Sequence, residues 1–135
     1  MAKITKINHV AIAVSDLDGA LSFWRDILGL QVSHIEDVPS QKSKVAFIPM
    51  GESEIELVNP TSSDTGLAKF LIEKGSGMHH LCFEVDNLED MLISLKAKGV
   101  KLINEIPQIL PGRKLAFIHP KASNGVLIEL YELIK

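Results

Sequence analysis

Apolar residues along the chain follow strand-like and then helix-like spacing, and the whole pattern occurs twice. An apolar run over residues 5–14 predicts a buried strand. Apolar residues then recur at helical spacing over 17–28, where Ser15 and Asp16 can cap a helix and Gly29 is placed to end it in a left-handed conformation. Three strand-like runs follow, near 30–38, 44–49 and 53–58. The pattern predicts the order β-α-β-β-β.

The same order returns in the second half of the chain. A strand is predicted near 78–85, followed by Asp86 and Asn87 as helix caps and by apolar residues at helical spacing up to Gly99. The strand-like runs after this helix lie near 100–105, 113–118 and 126–131. Between the halves, Pro60, a Thr/Ser/Asp/Gly cluster and a short apolar run predict a linker with one short helix.

Two pairs of similar segments indicate that the halves are copies of one unit. The segment that begins at His9 resembles the one that begins at His80, and the strand around Glu56 resembles that around Glu129 at nearly the same offset. A half of about 60 residues buries too little surface to fold alone. We therefore expect one domain over 1–135, with modules at about 5–59 and 77–133 and a linker at about 60–75.

Composition narrows the class of protein without indicating its chemistry. The 135 residues are 46% hydrophobic and 23% charged, as in a folded domain. A net charge of -3 without a Lys/Arg run argues against nucleic-acid and anionic-membrane partners. The apolar runs are too short to span a bilayer, and no secretory signal pattern is present. A single cysteine cannot form an internal disulfide, so we expect a cytoplasmic protein.

The repeat places a histidine on the first strand and a glutamate on the last strand of each module. If a pseudo-two-fold axis relates the modules, His9, Glu56, His80 and Glu129 converge in one cavity. Two imidazoles and two carboxylates suit Co²⁺, Mn²⁺, Zn²⁺ or Ni²⁺, and a set without cysteine is more typical of catalytic than of structural zinc. The alternative is that each residue has an ordinary core or surface role.

Four segments stand out: Asn8-His9-Val-Ala-Ile-Ala-Val, Glu56-Leu-Val-Asn-Pro60, Gly77-Met-His-His80-Leu, and His119-Pro120-Lys121 followed by Gly125-Val-Leu-Ile-Glu129-Leu. With the first of these segments, the tandem modules resemble the vicinal oxygen chelate superfamily, which includes glyoxalase I, ring-cleaving dioxygenases and antibiotic-resistance proteins. The doubled histidine and the His-Pro-Lys element are more typical of methylmalonyl-CoA epimerases, and the chain is similar to that family over essentially its whole length. The resemblance implies an α+β fold in which tandem βαβββ modules form mixed β-sheets around a metal cavity.

The resemblance also implies a site and a reaction. The metal ligands would be His9, His80 and Glu129, with Glu56 in the fourth position, and Co²⁺ would be the preferred ion, with Mn²⁺, Zn²⁺ and Ni²⁺ as alternatives. The reaction would interconvert the (R) and (S) forms of methylmalonyl-CoA by 1,1-proton transfer through a metal-stabilised enolate. Glu129 and Glu56 are the candidate catalytic groups. Members of this family usually form homodimers.

Contacts with coenzyme A and the second proton-transfer group are the remaining parts of the implied site. Coenzyme A is anionic, so we expect Lys121 to contact a phosphate, with His119, Gln41 and the Asn124-Gly125 turn as further substrate-binding residues. Some family members carry a carboxylate in the strand that here reads Lys44-Val-Ala-Phe47, and this chain has no acid there. The two proton-transfer groups therefore cannot both be assigned from the sequence.

Two other functions remain open. A glyoxalase I-like lyase that acts on a thiol hemithioacetal would use the same ligand set, and Glu56 slightly favours it. A metal-free binding protein of the resistance type would need none of the four ligand residues. Of the remaining candidates, His79 is expected to point away from His80, and Cys82 to be a small buried hydrophobic residue.

Overall fold

A computed structural model describes residues 1–134, and its elements follow the predicted order twice. The first series is β1 (Ile4–Ala13), α1 (Leu17–Leu21), β2 (His34–Val38), β3 (Ser43–Met50) and β4 (Ser53–Pro60). The linker carries α2 (Gly66–Lys74). The second series is β5 (Gly77–Val85), α3 (Leu88–Ala97), β6 (Gln108–Leu110), β7 (Arg113–Ile118) and β8 (Ile128–Leu133). No helix within residues 1–134 is long and apolar enough to cross a membrane.

The chain forms two compact units whose borders differ from those of the repeat. Val10–His79 form one unit, termed here the central unit, and Met1–His9 with the chain from His80 onward form the other, the terminal unit. The first six residues of β1 thus belong with the second series of elements, and only its last four with the first. The expectation of one domain over 1–135 stays a prediction.

In the central unit, a sheet of order β2-β3-β4-β1 carries apolar side chains on both faces. Ala46, Ile48 and Leu57 pack with Leu17 and Leu21 of α1. On the other face, residues of β1, β3 and β4 pack against α2: Ala11, Ala13, Val45 and Val58 against Leu67, Phe70 and Leu71. A helix on each face explains why these strands are predominantly apolar rather than strictly alternating.

The terminal unit has the strand order β1-β5-β8-β7-β6, with β5 parallel to β8 and with β7 antiparallel to both β8 and β6. One face of this sheet packs against α3, where Leu88 and Leu92 contact apolar residues of β5, β7 and β8. Of the two predicted caps, Asp86 and Asn87, it is Asn87 that caps α3, because its Oδ1 accepts a hydrogen bond from the Asp90 N–H at 3.1 Å. The opposite face of β8 is the one that carries Glu129.

The first predicted helix ends where expected but changes its winding. After Leu21 it continues as a π-helical segment, Ser22–Ile27, and Gly29 follows with a φ of 83°. Asp16 occupies the cap position without making the cap hydrogen bond. Its carboxylate lies over Gly19 instead, where a Cβ would approach Asp16 Oδ2 to 2.8 Å. The prediction of side-chain capping by Asp16 is therefore wrong.

The predicted strand at 100–105 is also wrong. In this stretch only Leu102 forms a β-bridge, with Ile118, and the edge strand β6 lies further along, at Gln108–Leu110. Asn104 uses its side-chain Oδ1 to accept a hydrogen bond from the Phe117 N–H at 2.9 Å, in place of regular strand pairing. Similarly, the strands predicted at 30–38 and 126–131 begin later, at His34 and Ile128.

The packing of α3 predicts that truncating two adjacent residues has very different effects on the free energy of unfolding. Leu92 is 2% exposed in the core of the terminal unit, so Leu92→Ala should lower the free energy of unfolding by about 2–5 kcal/mol. Ile93 is 68% exposed, so Ile93→Ala should change it by about 0.5 kcal/mol or less. Urea denaturation followed by circular dichroism measures both. Equal losses in the two variants would contradict this orientation of α3.

Candidate functional site

Two histidines and a glutamate meet on three neighbouring strands of the terminal unit. His9 lies on β1, His80 on β5 and Glu129 on β8. The Nε2 atoms of the two imidazoles are 3.1 Å apart, and Glu129 Oε1 is 3.2 Å from His9 Nε2 and 2.9 Å from His80 Nε2. One carboxylate oxygen therefore faces both ring nitrogens at once.

Alternation along β8 places Glu129 on this face of the sheet. Its neighbours Ile128 and Leu130 point to the other side, where they pack with α3. Across the strands, Glu129 pairs with Cys82 on β5 and with Phe117 on β7. The apolar residues on either side of Glu129 thus fix the direction in which its carboxylate points.

Burial makes the two imidazoles essential partners of this carboxylate. Glu129 is 3% exposed and His9 is 1% exposed, whereas the side chain of His80 is 11% exposed. Burial alone would raise the pKa of Glu129, but hydrogen bonds from His80 and His9 in their protonated forms, together with the charge attraction of these imidazolium rings, outweigh burial and lower the pKa to about 2. The glutamate is therefore ionised at neutral pH.

Aromatic rings pack around the cluster and limit how its imidazoles can turn. The His9 ring lies 5.3 Å from the ring of Tyr131 in an edge-on arrangement. The His80 ring makes a similar contact with Phe117 at 5.8 Å. Both aromatic side chains are on the same face as Glu129, because Phe117 pairs with it and Tyr131 follows two residues later on β8.

The spacing of the three donor atoms fits a bound divalent metal ion. Imidazole nitrogen and carboxylate oxygen bind such ions at about 2.0–2.2 Å, which separates adjacent donors by about 2.8–3.6 Å for octahedral to tetrahedral angles. The observed separations of 2.9, 3.1 and 3.2 Å agree with this range. His9, His80 and Glu129 therefore form a donor set that can hold an ion of the Co²⁺, Mn²⁺, Zn²⁺ or Ni²⁺ class.

Cys82 is a member of this cluster that the sequence analysis treated as an ordinary core residue. It is fully buried as predicted, but its Sγ and the ligand atoms of His9 and Glu129 all lie within 4.8 Å of one another. The signal was present in the sequence: Cys82 follows His80 by two residues on one strand, so both side chains face the same way. A soft sulfur atom therefore lies beside a set of harder donors.

Two of the predicted site residues lie in the central unit. Glu56 is on β4, paired with Phe47 on β3, and is 8% exposed. Gln41 ends an exposed 3₁₀ turn, Pro39–Gln41. The roles of Glu56 as fourth ligand and of Gln41 as substrate contact stay predictions. His79, also in this unit, packs edge-on against Phe70 at 5.0 Å, as expected for a structural residue.

The other predicted substrate contacts lie in the loop between β7 and β8 of the terminal unit. His119 Nδ1 accepts a hydrogen bond from the Lys121 backbone N–H at 3.0 Å, and this orders the turn that displays the exposed Lys121 side chain. Burial and the charges of Lys101 and Lys121 lower the pKa of His119. Asn124 and Gly125 adopt φ values of 60° and 87°. Their contacts with substrate stay predictions.

Comparison with known proteins gives the family. Residues 8–117 match the Glyoxalase/Bleomycin resistance protein/Dioxygenase superfamily. The chain belongs to this superfamily. Within it, the mitochondrial methylmalonyl-CoA epimerase of Mus musculus is 42% identical over 95% of this chain and 73% of its own length. The ethylmalonyl-CoA/methylmalonyl-CoA epimerase of Cereibacter sphaeroides is 36% identical over 96% of this chain and 99% of its own length.

A solved structure and a more distant sequence relative agree with this relationship. A variant of Streptomyces coelicolor methylmalonyl-CoA epimerase, in complex with 2-nitronate-propionyl-CoA, superimposes with a TM-score of 0.89 at 30% identity, covering 97% of this chain and 96% of that one. A probable lactoylglutathione lyase of Synechocystis is 29% identical over 92% of both chains. The predicted α+β superfamily fold and the resemblance to methylmalonyl-CoA epimerases are thereby confirmed.

The lowered pKa of Glu129 predicts a specific pH dependence of stability in metal-free protein. A carboxylate whose folded-state pKa lies below its unfolded value stabilises the fold above the unfolded pKa. That stabilisation should be lost as pH falls from about 4.5 toward the folded-state pKa of about 2. Subtracting the unfolding free energy of Glu129→Gln from that of wild type, at each pH, isolates this contribution. A difference that stays constant from neutral to acidic pH would contradict the hydrogen-bonded carboxylate.

Proposed function

We propose that this protein interconverts the (R) and (S) forms of methylmalonyl-CoA. The observation that carries the proposal is the His9, His80 and Glu129 cluster in a chain that is similar over nearly its whole length to methylmalonyl-CoA epimerases. Relatives with this name range from bacteria to mammals. The ligand in the Streptomyces coelicolor complex, an acyl-CoA with an anionic nitronate at carbon 2, supports a site for acyl-CoA anions.

The substrate determines what such a site must do. The α-carbon of methylmalonyl-CoA lies between a thioester and a carboxylate, so its proton is more acidic than that of a simple thioester. Inversion removes this proton from one face and returns a proton to the opposite face. The protein must therefore hold the α-carbon between two acid/base groups while negative charge spreads onto the thioester oxygen.

His9, His80 and Glu129 would hold a divalent metal ion, with Glu56 as the fourth ligand. The bound ion would supply Lewis-acid stabilisation of the negative charge that develops on substrate oxygen. Co²⁺ is our preferred candidate by family resemblance, and Mn²⁺, Zn²⁺ and Ni²⁺ suit the same donors. The orientation of both imidazoles is held by the aromatic contacts to Tyr131 and Phe117.

Glu129 can serve both as a ligand and as a proton-transfer group because its two oxygens have different surroundings. Oε1 makes the contacts with both imidazoles. In this arrangement Oε2 is the oxygen that would take or return the substrate proton. Glu56 is the proposed second group, because within residues 1–134 it is the other carboxylate that is buried in a strand. The strand Ser43–Met50 offers no acid for this role.

The remaining contacts concern coenzyme A. Lys121 is exposed on an ordered turn and is the proposed phosphate contact, with His119, Asn124 and Gly125 beside it in the same loop. Gln41 is the further proposed contact. The homodimer and the cytoplasmic location stay predictions.

A glyoxalase I-like lyase is the second candidate, because the same donor set would serve it. The observation in its favour is the relative named probable lactoylglutathione lyase, at 29% identity. The epimerases match at up to 42% identity. The identity difference favours the epimerase, and the substrate assay below separates the two.

Exchange of the α-proton is the direct test of the proposed reaction. In deuterated water, protein loaded with Co²⁺ should incorporate deuterium at the α-carbon of methylmalonyl-CoA, as followed by proton NMR. Chelation of the metal should abolish exchange, and added Co²⁺ should restore it. Glu129→Gln should lower the rate by about 10²–10⁴-fold, as expected for loss of an acid/base group.

Glu105→Gln is a matched control, since Glu105 is exposed in the same unit and pairs with Lys96. This variant should keep the wild-type exchange rate. Absence of exchange together with turnover of the methylglyoxal–glutathione hemithioacetal would replace the epimerase with the lyase. Absence of both reactions and of bound metal, after supplementation with divalent ions, would favour the resistance-type binding protein.

A further inference from the structure

A chain of polar contacts leads from the surface of the terminal unit to the buried imidazole of His9. His9 Nδ1 is 2.7 Å from Asn8 Oδ1, and Asn8 Nδ2 donates a hydrogen bond to Glu84 Oε1 at 3.2 Å. Lys6 Nζ lies 3.9 Å from the same Glu84 oxygen. The contacts link β1 to β5 at a point where Asn8 and Glu84 are half-buried. None of these three partners is among the proposed metal ligands.

The hydrogen-bonding chemistry of these contacts allows only one orientation of the Asn8 amide. A carboxylate can only accept hydrogen bonds, so the amide nitrogen of Asn8 must face Glu84. The amide oxygen then faces His9, and an oxygen at 2.7 Å requires a proton on Nδ1. In a neutral imidazole with Nδ1 protonated, Nε2 carries the lone pair. Nε2 is thus the nitrogen that faces His80 Nε2 and Glu129 Oε1, and in this arrangement it donates to Glu129 only when the ring is a doubly protonated imidazolium.

We infer that Asn8 and Glu84 are positioning residues that hold His9 in the Nδ1-protonated tautomer and so keep its Nε2 ready to bind a metal ion. Neighbouring residues on a strand point to opposite faces, so Asn8 would not ordinarily reach the ring of His9. The hydrogen bond to Glu84, on the adjacent strand, holds the Asn8 side chain in place for this contact.

The opposite tautomer would work against metal binding. A proton on His9 Nε2 would be donated to Glu129 Oε1, which lies 3.2 Å away, and the cluster would be satisfied without an ion. Holding His9 in the Nδ1-protonated tautomer removes this hydrogen bond, which would otherwise compete with metal binding. Loss of a hydrogen bond that orients a ligating histidine typically weakens metal binding by about 10–100-fold. This consequence rests on the proposed metal site, whereas the tautomer itself does not.

Nitrogen NMR of metal-free protein with ¹⁵N-labelled histidine tests the tautomer directly. At about pH 8, wild-type His9 should carry a proton on Nδ1. Asn8→Leu removes the acceptor and should shift the proton wholly or partly to Nε2. Glu84→Ala removes only the anchor of the amide and should give a mixture. Detection of Nε2 protonation in the wild type would overturn the inference.

A double variant distinguishes positioning from general loss of structure. In Asn8→Asp with Glu84→Gln, the amide at 84 donates and the carboxylate at 8 still offers an oxygen to His9, so the Nδ1 proton should return. Competition with a chelator should show Co²⁺ binding weakened about 10–100-fold in Asn8→Leu and restored in the double variant. Glu105→Gln serves as the control for both measurements and should match the wild type.

Two further outcomes are decisive. Unchanged tautomer and unchanged Co²⁺ affinity in both Asn8→Leu and Glu84→Ala would overturn the inference. An Nδ1 proton that depends on Asn8, in a protein that binds no divalent metal, would support the tautomer assignment and contradict the proposed metal site.

Discussion

A buried carboxylate between two imidazoles is the interaction on which the terminal unit depends. Glu129 is 3% exposed within a strand, and an uncompensated charge in that position would oppose folding strongly. His9 and His80 offset this cost by approaching a single oxygen of Glu129 to 3.2 and 2.9 Å. Because the three residues come from β1, β5 and β8, the compensation requires these strands to be neighbours in that order. Compensation of the buried charge therefore constrains the order of these three strands in the sheet.

The hydrophobic core and the site are coupled through the alternation of β8. Ile128 and Leu130 are held against α3, and this directs Glu129 and Tyr131 to the opposite face. A register slip of one residue would bury Glu129 against α3 and turn the apolar pair toward His9 and His80. Packing energy from apolar residues therefore keeps the carboxylate in place. The polar contacts at the site therefore do not have to hold Glu129 in position without help from apolar packing.

The spacing of apolar residues and the internal repeat made much of the fold predictable. The predictions failed where a single side chain makes a contact that replaces the expected regular structure or cap. The order of elements followed from apolar spacing, and the pairing of His9 with His80 followed from the repeat. The strand predicted at 100–105 did not form because Asn104 bonds the Phe117 backbone with its side chain, which no apolar pattern encodes. Asp16 had a cap position available but lies over the Cβ-free Gly19. The contact between Asn8 and Glu84 joins residues far apart in sequence, so spacing alone could not reveal it.

The low pKa of Glu129 sets a condition on any proton transfer at this site. A carboxylate with a lowered pKa is a weaker base than an ordinary glutamate, so in the proposed reaction Glu129 would need a carbon acid that the surroundings have made more acidic. The proposed metal would act on the substrate in that direction, since positive charge near the thioester oxygen stabilises the developing anion. Two neutral imidazoles and one carboxylate would leave a divalent ion with one net positive charge available for this purpose, and ligation by Glu56 would neutralise it. If Glu56 is the fourth ligand as proposed, a site with both carboxylates bound would retain its ion more firmly but attract an anionic substrate less, so metal retention and substrate binding would compete through Glu56.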